Sequence, residues 1–159
     1  MTKFSDIKIH AEDLTEKQEI SKKRVLVLCT GNSCRSHMAE GIINHYLENS
    51  WIAYSAGTEP AGYVHPLAIA VMAELGIDIS SHISKPTEGF RNMSLDWVIT
   101  VCDDASENCP VWLGRANTVH YFFPDPANAT GTDNEKMKIF CQVRVDIRDK
   151  VLEILPTIA

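Results

Sequence analysis

The sequence predicts an α/β fold: a four-stranded parallel sheet with helices on both faces, in a single domain over residues 24–159. Two observations predict it. From Arg24 onward, short apolar runs rich in β-branched residues alternate with helix-length segments. Residues able to do chemistry fall where the first, third and fourth runs end, at the carboxyl edge where parallel sheets hold their ligands. At 159 residues, 45% hydrophobic and 8% aromatic, the chain can bury one sizeable core.

Residues 1–23 are polar, carry both charge signs and read as an extension outside that core. Arg24-Val25-Leu26-Val27-Leu28 has the continuous apolar character of a strand buried on both faces. Met38, Ala39, Ile42, Ile43, Tyr46 and Leu47 then recur at helical spacing, with the helix starting near Arg35. Trp51 to Ser55 is a second strand, closed by Ala56-Gly57, and Pro66 opens a helix that presents Leu67, Val71 and Leu75 before Gly76 ends it. Trp97 to Val101 and Thr118 to Phe122 are the third and fourth strands. Thr132-Asp133-Asn134-Glu135 has capping-box form and introduces a last helix carrying Phe140, Val143, Ile147, Val151 and Ile154.

Between the first strand and first helix lies Cys29-Thr30-Gly31-Asn32-Ser33-Cys34-Arg35-Ser36. A bare Cys-x5-Arg spacing is common; the strand before it and the helix after it make it specific. Gly31 allows an unusual turn, Asn32 tolerates left-handed geometry, and the backbone N–H groups then face a bound anion. A thiol at such a helix N-terminus, beside a guanidinium, favours the nucleophilic thiolate, so Cys29 is the candidate nucleophile. Arg35 can hold two oxygens of a tetrahedral oxyanion at once, and Ser36 can donate to the sulfur.

A second polar segment, Cys102-Asp103-Asp104-Ala105-Ser106-Glu107-Asn108-Cys109-Pro110, is bracketed by thiols. If it is helical, seven residues separate the thiols by about 10.5 Å of rise, beyond the ~7 Å that a disulfide spans between Cα atoms. Pairing them would unwind the helix and act as a redox-driven conformational switch. Asp125 follows the fourth strand and completes a set of three capable groups, with Cys29 and Cys102, on one sheet edge.

The net charge of −6 argues against nucleic acid or an anionic membrane as partner, so any positive site is local. The polar first residues lack the apolar stretch of a signal peptide, and a cytoplasmic protein is expected. Five cysteines in a reducing compartment point to catalytic or redox thiols. Cys29-x4-Cys34 and Cys102-x6-Cys109 are poor zinc patterns, and no histidine pair sits at ligand spacing, so no metal is expected. His37 reads as a solvated helix position, Cys34 as a structural loop thiol and Cys141 as core. Core packing is the default for Trp112, Tyr121, Phe122 and Phe123.

Together with Met38-Ala39-Glu40-Gly41, Tyr54-Ser55-Ala56-Gly57, Gly76-Ile77-Asp78-Ile79-Ser80 and Asp125-Pro126-Ala127, these segments resemble the thioredoxin-coupled arsenate reductases. That family shares the low-molecular-weight protein tyrosine phosphatase fold, and the resemblance runs from about Val25 to Val151. It implies strand order 2-1-3-4 of flavodoxin-like type. It implies that arsenate, with phosphate as its analogue, sits in the loop of Thr30, Gly31, Asn32, Ser33, Cys34, Arg35 and Ser36. Cys29 would attack arsenic, Asp125 would protonate the departing oxygen, and Cys102 and then Cys109 would carry the oxidation to thioredoxin. No cofactor is implied, and a monomer is the expected state.

Some members of that family hold a potassium ion behind the loop with an asparagine, a glutamate, a serine and an aspartate. Asn32, Glu40 and Ser55 match the first three, whereas Lys85 stands at the aspartate position. The expectation is that the Lys85 ammonium replaces the ion and pairs with Glu40. Two other functions compete with the reductase: a phosphatase using Cys29, Arg35 and Asp125 on phosphomonoesters, and an oxyanion-binding or phosphocysteine module without catalysis. Neither would need Cys102 or Cys109.

Overall fold

A computed structural model describes residues 22–102, 111, 112 and 114–158. Cys109 and most of the proposed N-terminal extension lie outside these residues. Four strands, β1 (Lys23–Cys29), β2 (Trp51–Gly57), β3 (Trp97–Thr100) and β4 (Asn117–His120), form one sheet in the order β2-β1-β3-β4. All three pairings are parallel. Among the described residues the α-helices are α1 (Arg35–Tyr46), α2 (Pro66–Ala73) and α3 (Asp133–Ile154), with short 3₁₀ turns at Thr87–Phe90, Pro126–Asn128 and Leu155–Thr157.

β1 is central, which explains its unbroken apolar run. Val25, Val27 and Cys29 point into a cluster with Met38 and Ile42 of α1, Val71 of α2 and Phe140, Val143 and Ile147 of α3. Leu26 and Leu28 point the other way, onto Ala56, Val98 and Phe90 of the 3₁₀ turn. Among the described residues the three α-helices pack on one face of the sheet, and the 3₁₀ turn with Met93, Leu95 and Trp112 covers the other. Gly41 lets α1 come close to the segment after α2: a Cβ there would meet Ile79 at 2.9 Å and Met72 at 3.1 Å.

Local signals explain the element ends. Pro66 occupies the first turn of α2, and the His65 ring caps it by accepting from the Leu67 N–H at 3.1 Å. Gly76, at φ 73°, closes that helix in Schellman fashion, with the Ile77 N–H reaching back to Met72 O. Thr132 caps α3 by accepting from the Glu135 N–H and donating to the Glu135 carboxylate.

Several boundaries differ from the sequence expectation. β4 spans Asn117–His120 rather than Thr118–Phe122 because its partner β3 ends at Thr100; one more ladder bond, Tyr121 N–H to Thr100 O, precedes the turn toward Asp125. Phe123 is buried, while Phe122 is exposed and Tyr121 and Trp112 are half-buried. At the end of α3 the chain tightens into a 3₁₀ turn, which brings Leu155 rather than Ile154 into the core. Among the described residues, no helix is long and apolar enough to cross a membrane.

Candidate active site

The loop from Thr30 to Cys34 is held by its carbonyls. Thr30 O accepts from the Glu59 N–H, Gly31 O from the Ala61 N–H, and Ser33 O from the His65 N–H, at 2.8–3.0 Å. His37 Nε2 lies 3.0 Å from Asn32 O. In a trans peptide the N–H points opposite to the preceding carbonyl, so turning four consecutive carbonyls outward turns the N–H groups of residues 31–34 inward. That makes a concave row of donors at the start of α1, whose N-cap residue Cys34 makes no side-chain cap hydrogen bond among the described residues. A row of this kind binds an anion.

The left-handed residue is Asn32, at φ 44°; Gly31 is not in that region. Asn32 is fully buried, and each of its polar groups has a use. Its N–H donates to Cys29 Sγ at 3.1 Å, its Nδ2 donates to Ser36 Oγ at 2.7 Å, and its Oδ1 accepts from the Lys85 N–H at 2.9 Å. Because Ser36 Oγ accepts from Asn32, its own proton is free for Cys29 Sγ, 3.0 Å away. Two donors thus converge on the sulfur, which suits attack as the anion.

Gly57, at the end of β2, is required by close approach. A Cβ there would lie 2.5 Å from Thr30 O and 2.9 Å from Asn32 Cβ, so only glycine lets β2 pass behind the loop. The sequence reading used Gly57 as a strand terminator and as the end of the Tyr54-Ser55-Ala56-Gly57 segment that carries the resemblance. Its spacing from Cys29 carries no hint of the contact, which comes from the parallel register Cys29↔Gly57.

Arg35 is almost fully buried and is aimed by backbone carbonyls. Its Nη1 reaches Phe123 O at 3.1 Å and Val101 O at 3.4 Å, while Nη2 lies 3.5 Å from Asp125 Oδ2. Asp125 keeps its other oxygen on the Ala127 N–H, capping the 3₁₀ turn Pro126–Asn128. The fold therefore brings Cys29, Arg35 and Asp125, nearly a hundred residues apart in sequence, to one edge. Cys102, just past β3, is buried in the same apolar cluster as Cys29. Burial pushes the Cys34 thiol up to about 12, with a partial offset from its Ser33 hydrogen bond, so Cys34 stays protonated in the loop.

Behind the loop the structure differs from the sequence reading. His37, expected on a solvated helix face, is fully buried, and its Nδ1 lies 3.1 Å from His82 Nδ1. Glu40 Oε2 accepts from Ser55 Oγ at 2.5 Å and lies 3.6 Å from His37 Nδ1 and 3.5 Å from His82 Nδ1. Lys85 Nζ reaches Ser55 Oγ at 3.5 Å and Ile83 O at 3.1 Å, so its link to Glu40 runs through the serine hydroxyl. Burial alone would raise the Glu40 carboxyl, but the Ser55 hydroxyl, the His37 and His82 imidazoles beside it and the Lys85 ammonium hold it below its ordinary value. Burial lowers the Lys85 ammonium, partly countered by Glu40.

Residues 24–157 match the sequence profile of the family described as "Low molecular weight phosphotyrosine protein phosphatase". The chain is 42% identical over 138 residues to a protein of Shouchella clausii (strain KSM-K16) named "Arsenate reductase", covering 87% of this chain and 99% of that one. Among solved structures it is similar to "An arsenate reductase in the phosphate binding state", with TM-score 0.72, 34% identity and coverage of 86% of this chain and 99% of the other. A second, "An arsenate reductase in oxidized state", has TM-score 0.71 and 31% identity, with the same coverage.

Proposed function

The chain belongs to the low molecular weight phosphotyrosine protein phosphatase family, and within that family we propose that it reduces arsenate to arsenite. The observation that carries this reading is Cys102, a second buried thiol beside the nucleophile's strand. β1 pairs β3 with Leu28 opposite Thr100, and the Val101 N–H still bonds Leu28 O. Cys102 follows that last bond by one residue, past the end of β3, and lies in the same buried cluster as Cys29 rather than on the opposite face of the sheet. A hydrolytic cycle has no use for such a thiol.

In the proposed cycle the loop N–H groups of residues 31–34 and the Arg35 guanidinium hold arsenate, and Cys29 Sγ attacks arsenic. Asp125 protonates the oxygen that leaves as water, giving a sulfur–arsenic(V) bond. Cys102 then attacks Cys29 Sγ. The new S–S bond forms as the electron pair of the S–As bond passes to arsenic, which departs as arsenite, As(III). Cys109 attacks Cys102 and frees Cys29. The Cys102–Cys109 disulfide takes two electrons from the dithiol of thioredoxin. Both oxidising equivalents of arsenate leave as one disulfide, so neither metal nor flavin is needed in the cycle. A monomer working in the cytoplasm completes the proposal.

The test is arsenate-dependent NADPH consumption with thioredoxin and thioredoxin reductase, on wild type, Cys102→Ser and Cys109→Ser. The relay requires that both variants lose turnover and that Cys109→Ser releases a single burst of arsenite per chain. Turnover indifferent to both substitutions would refute it. The competing phosphatase reading rests on the same Cys29, Arg35 and Asp125 geometry and the family's own description. It predicts sustained aryl phosphate hydrolysis, whereas the reductase predicts only a slow side reaction.

A further inference from the structure

We propose that His37, Glu40 and His82 form a binding site for a tetrahedral transition-metal ion of the zinc class, on the far side of the loop from Cys29. The three candidate ligand atoms, His37 Nδ1, His82 Nδ1 and Glu40 Oε2, are separated by 3.1, 3.5 and 3.6 Å. A tetrahedral zinc with bonds of about 2.0–2.1 Å has ligand–ligand edges of about 3.3 Å. One face of that tetrahedron is therefore already built. Two imidazoles and a carboxylate suit zinc, cobalt(II) or nickel(II) and suit potassium or magnesium poorly.

The surrounding bonds are those of a metal site. His37 Nε2 faces the Asn32 carbonyl at 3.0 Å, which accepts and never donates; the ring proton therefore sits on Nε2, and Nδ1 presents its lone pair. The Ser55 hydroxyl donates to Glu40 and fixes the carboxylate. His82, one-fifth exposed, stands at the outer edge, the side from which an ion and a fourth, water ligand would enter. In the metal-free protein His82 Nδ1 carries a proton shared with His37; binding moves it to Nε2, and the metal replaces it between the rings. Lys85 is the competing cation: its ammonium lies 3.5 Å from Ser55 Oγ and feels the Glu40 charge.

Because His37 also holds the Asn32 carbonyl, a bound ion would fix the loop from behind without entering the oxyanion cradle. This inference is independent of the proposed reaction. Cobalt(II) added to the reduced full-length chain is the direct probe. The expected result is one ion per chain with the intense visible bands of a tetrahedral site and without the near-ultraviolet charge-transfer band of cobalt–thiolate bonding. His82→Gln should lose more affinity than the ~10–100-fold typical of removing an outer-shell partner, while its metal-free thermal unfolding stays close to wild type. Lys85→Met should bind cobalt several-fold more tightly, and saturating phosphate should not displace the ion. An octahedral spectrum, a thiolate band, or affinity indifferent to His82→Gln would each overturn the site.

Discussion

The two sides of the loop are built differently. The front, where Cys29, Asn32, Arg35 and Ser36 meet, comes from eight consecutive residues, joined by Asp125, Cys102 and the carbonyls of Val101 and Phe123 from farther along the chain. The back, where His37, Glu40, Ser55, His82 and Lys85 meet, gathers residues from α1, β2 and the segment after α2. The front gathers the Arg35 guanidinium and the donors around Cys29 Sγ, the groups that the proposed reaction uses. The back satisfies charges that burial would otherwise penalise, and it holds the loop by its carbonyls. Chemistry at the front thus depends on scaffolding at the back, and variants of the two sides should separate in what they change.

The largest effect is expected at the front. Arg35→Lys keeps one charge but loses the planar fork, and catalysis should fall about 10²–10³-fold with little change in unfolding temperature. A loss of stability equal to that of the scaffold variants would break the distinction between the sides.

Asn32→Ala strands the Lys85 N–H, removes the donor to Ser36 Oγ and puts alanine at φ 44°. It should cost about 1–3 kcal/mol in chemical denaturation for each buried group left unpaired. Asn32→Gly relieves the backbone alone, so the difference between the two variants measures how much of Asn32's role is backbone and how much is side chain. Gly57→Ala forces β2 and the loop apart; about 1–3 kcal/mol of overpacking is expected, together with weaker phosphate protection of Cys29 from alkylation.

Smaller effects sharpen the comparison. Burial lowers the His65 imidazole, partly offset by Asp125, and its cap on α2 needs the neutral ring as acceptor. With the folded value below the unfolded ~6.5, the unfolded chain binds the extra proton first. The stabilisation is therefore complete above that value and is lost as pH falls through the depressed one. His65→Asn keeps a cap without a titrating ring, and its unfolding temperature should vary less between pH 7 and 5. Cys34→Ala should leave the alkylation rate of Cys29 unchanged, since the Cys34 thiol stays protonated at neutral pH.

How much of this was legible in the sequence follows from the same contrast. The strand–loop–helix around Cys29 and the capping of α2 and α3 were legible because each rests on neighbours a few residues apart. Strand order and the chemistry of the thiol relay came with the family resemblance, and the comparisons support the reductase reading. His37 was misread because helical spacing reports which residues share a face and says nothing about a histidine 45 positions away that will meet it. Its position directly after Ser36, inside the first turn of a helix facing the sheet, was the one available signal. Gly57 was recognised as an end and not as a contact, for the same reason.

By itself, then, the sequence determined a thiol and a guanidinium in a tight strand-to-helix loop at the carboxyl edge of a parallel sheet, because the strand, the turn and the helix are each specified by neighbours a few residues apart. The tertiary structure decided what stands on either side of it. Parallel pairing of β1 with β2 and β3 sets Gly57 against Thr30 and brings Cys102 beside the strand of Cys29. Packing of α1 onto residues 72–79 brings His82 and Lys85 to Glu40. Those contacts join residues tens of positions apart, and only the folded chain, having met the entropy cost of closing such loops, makes them neighbours.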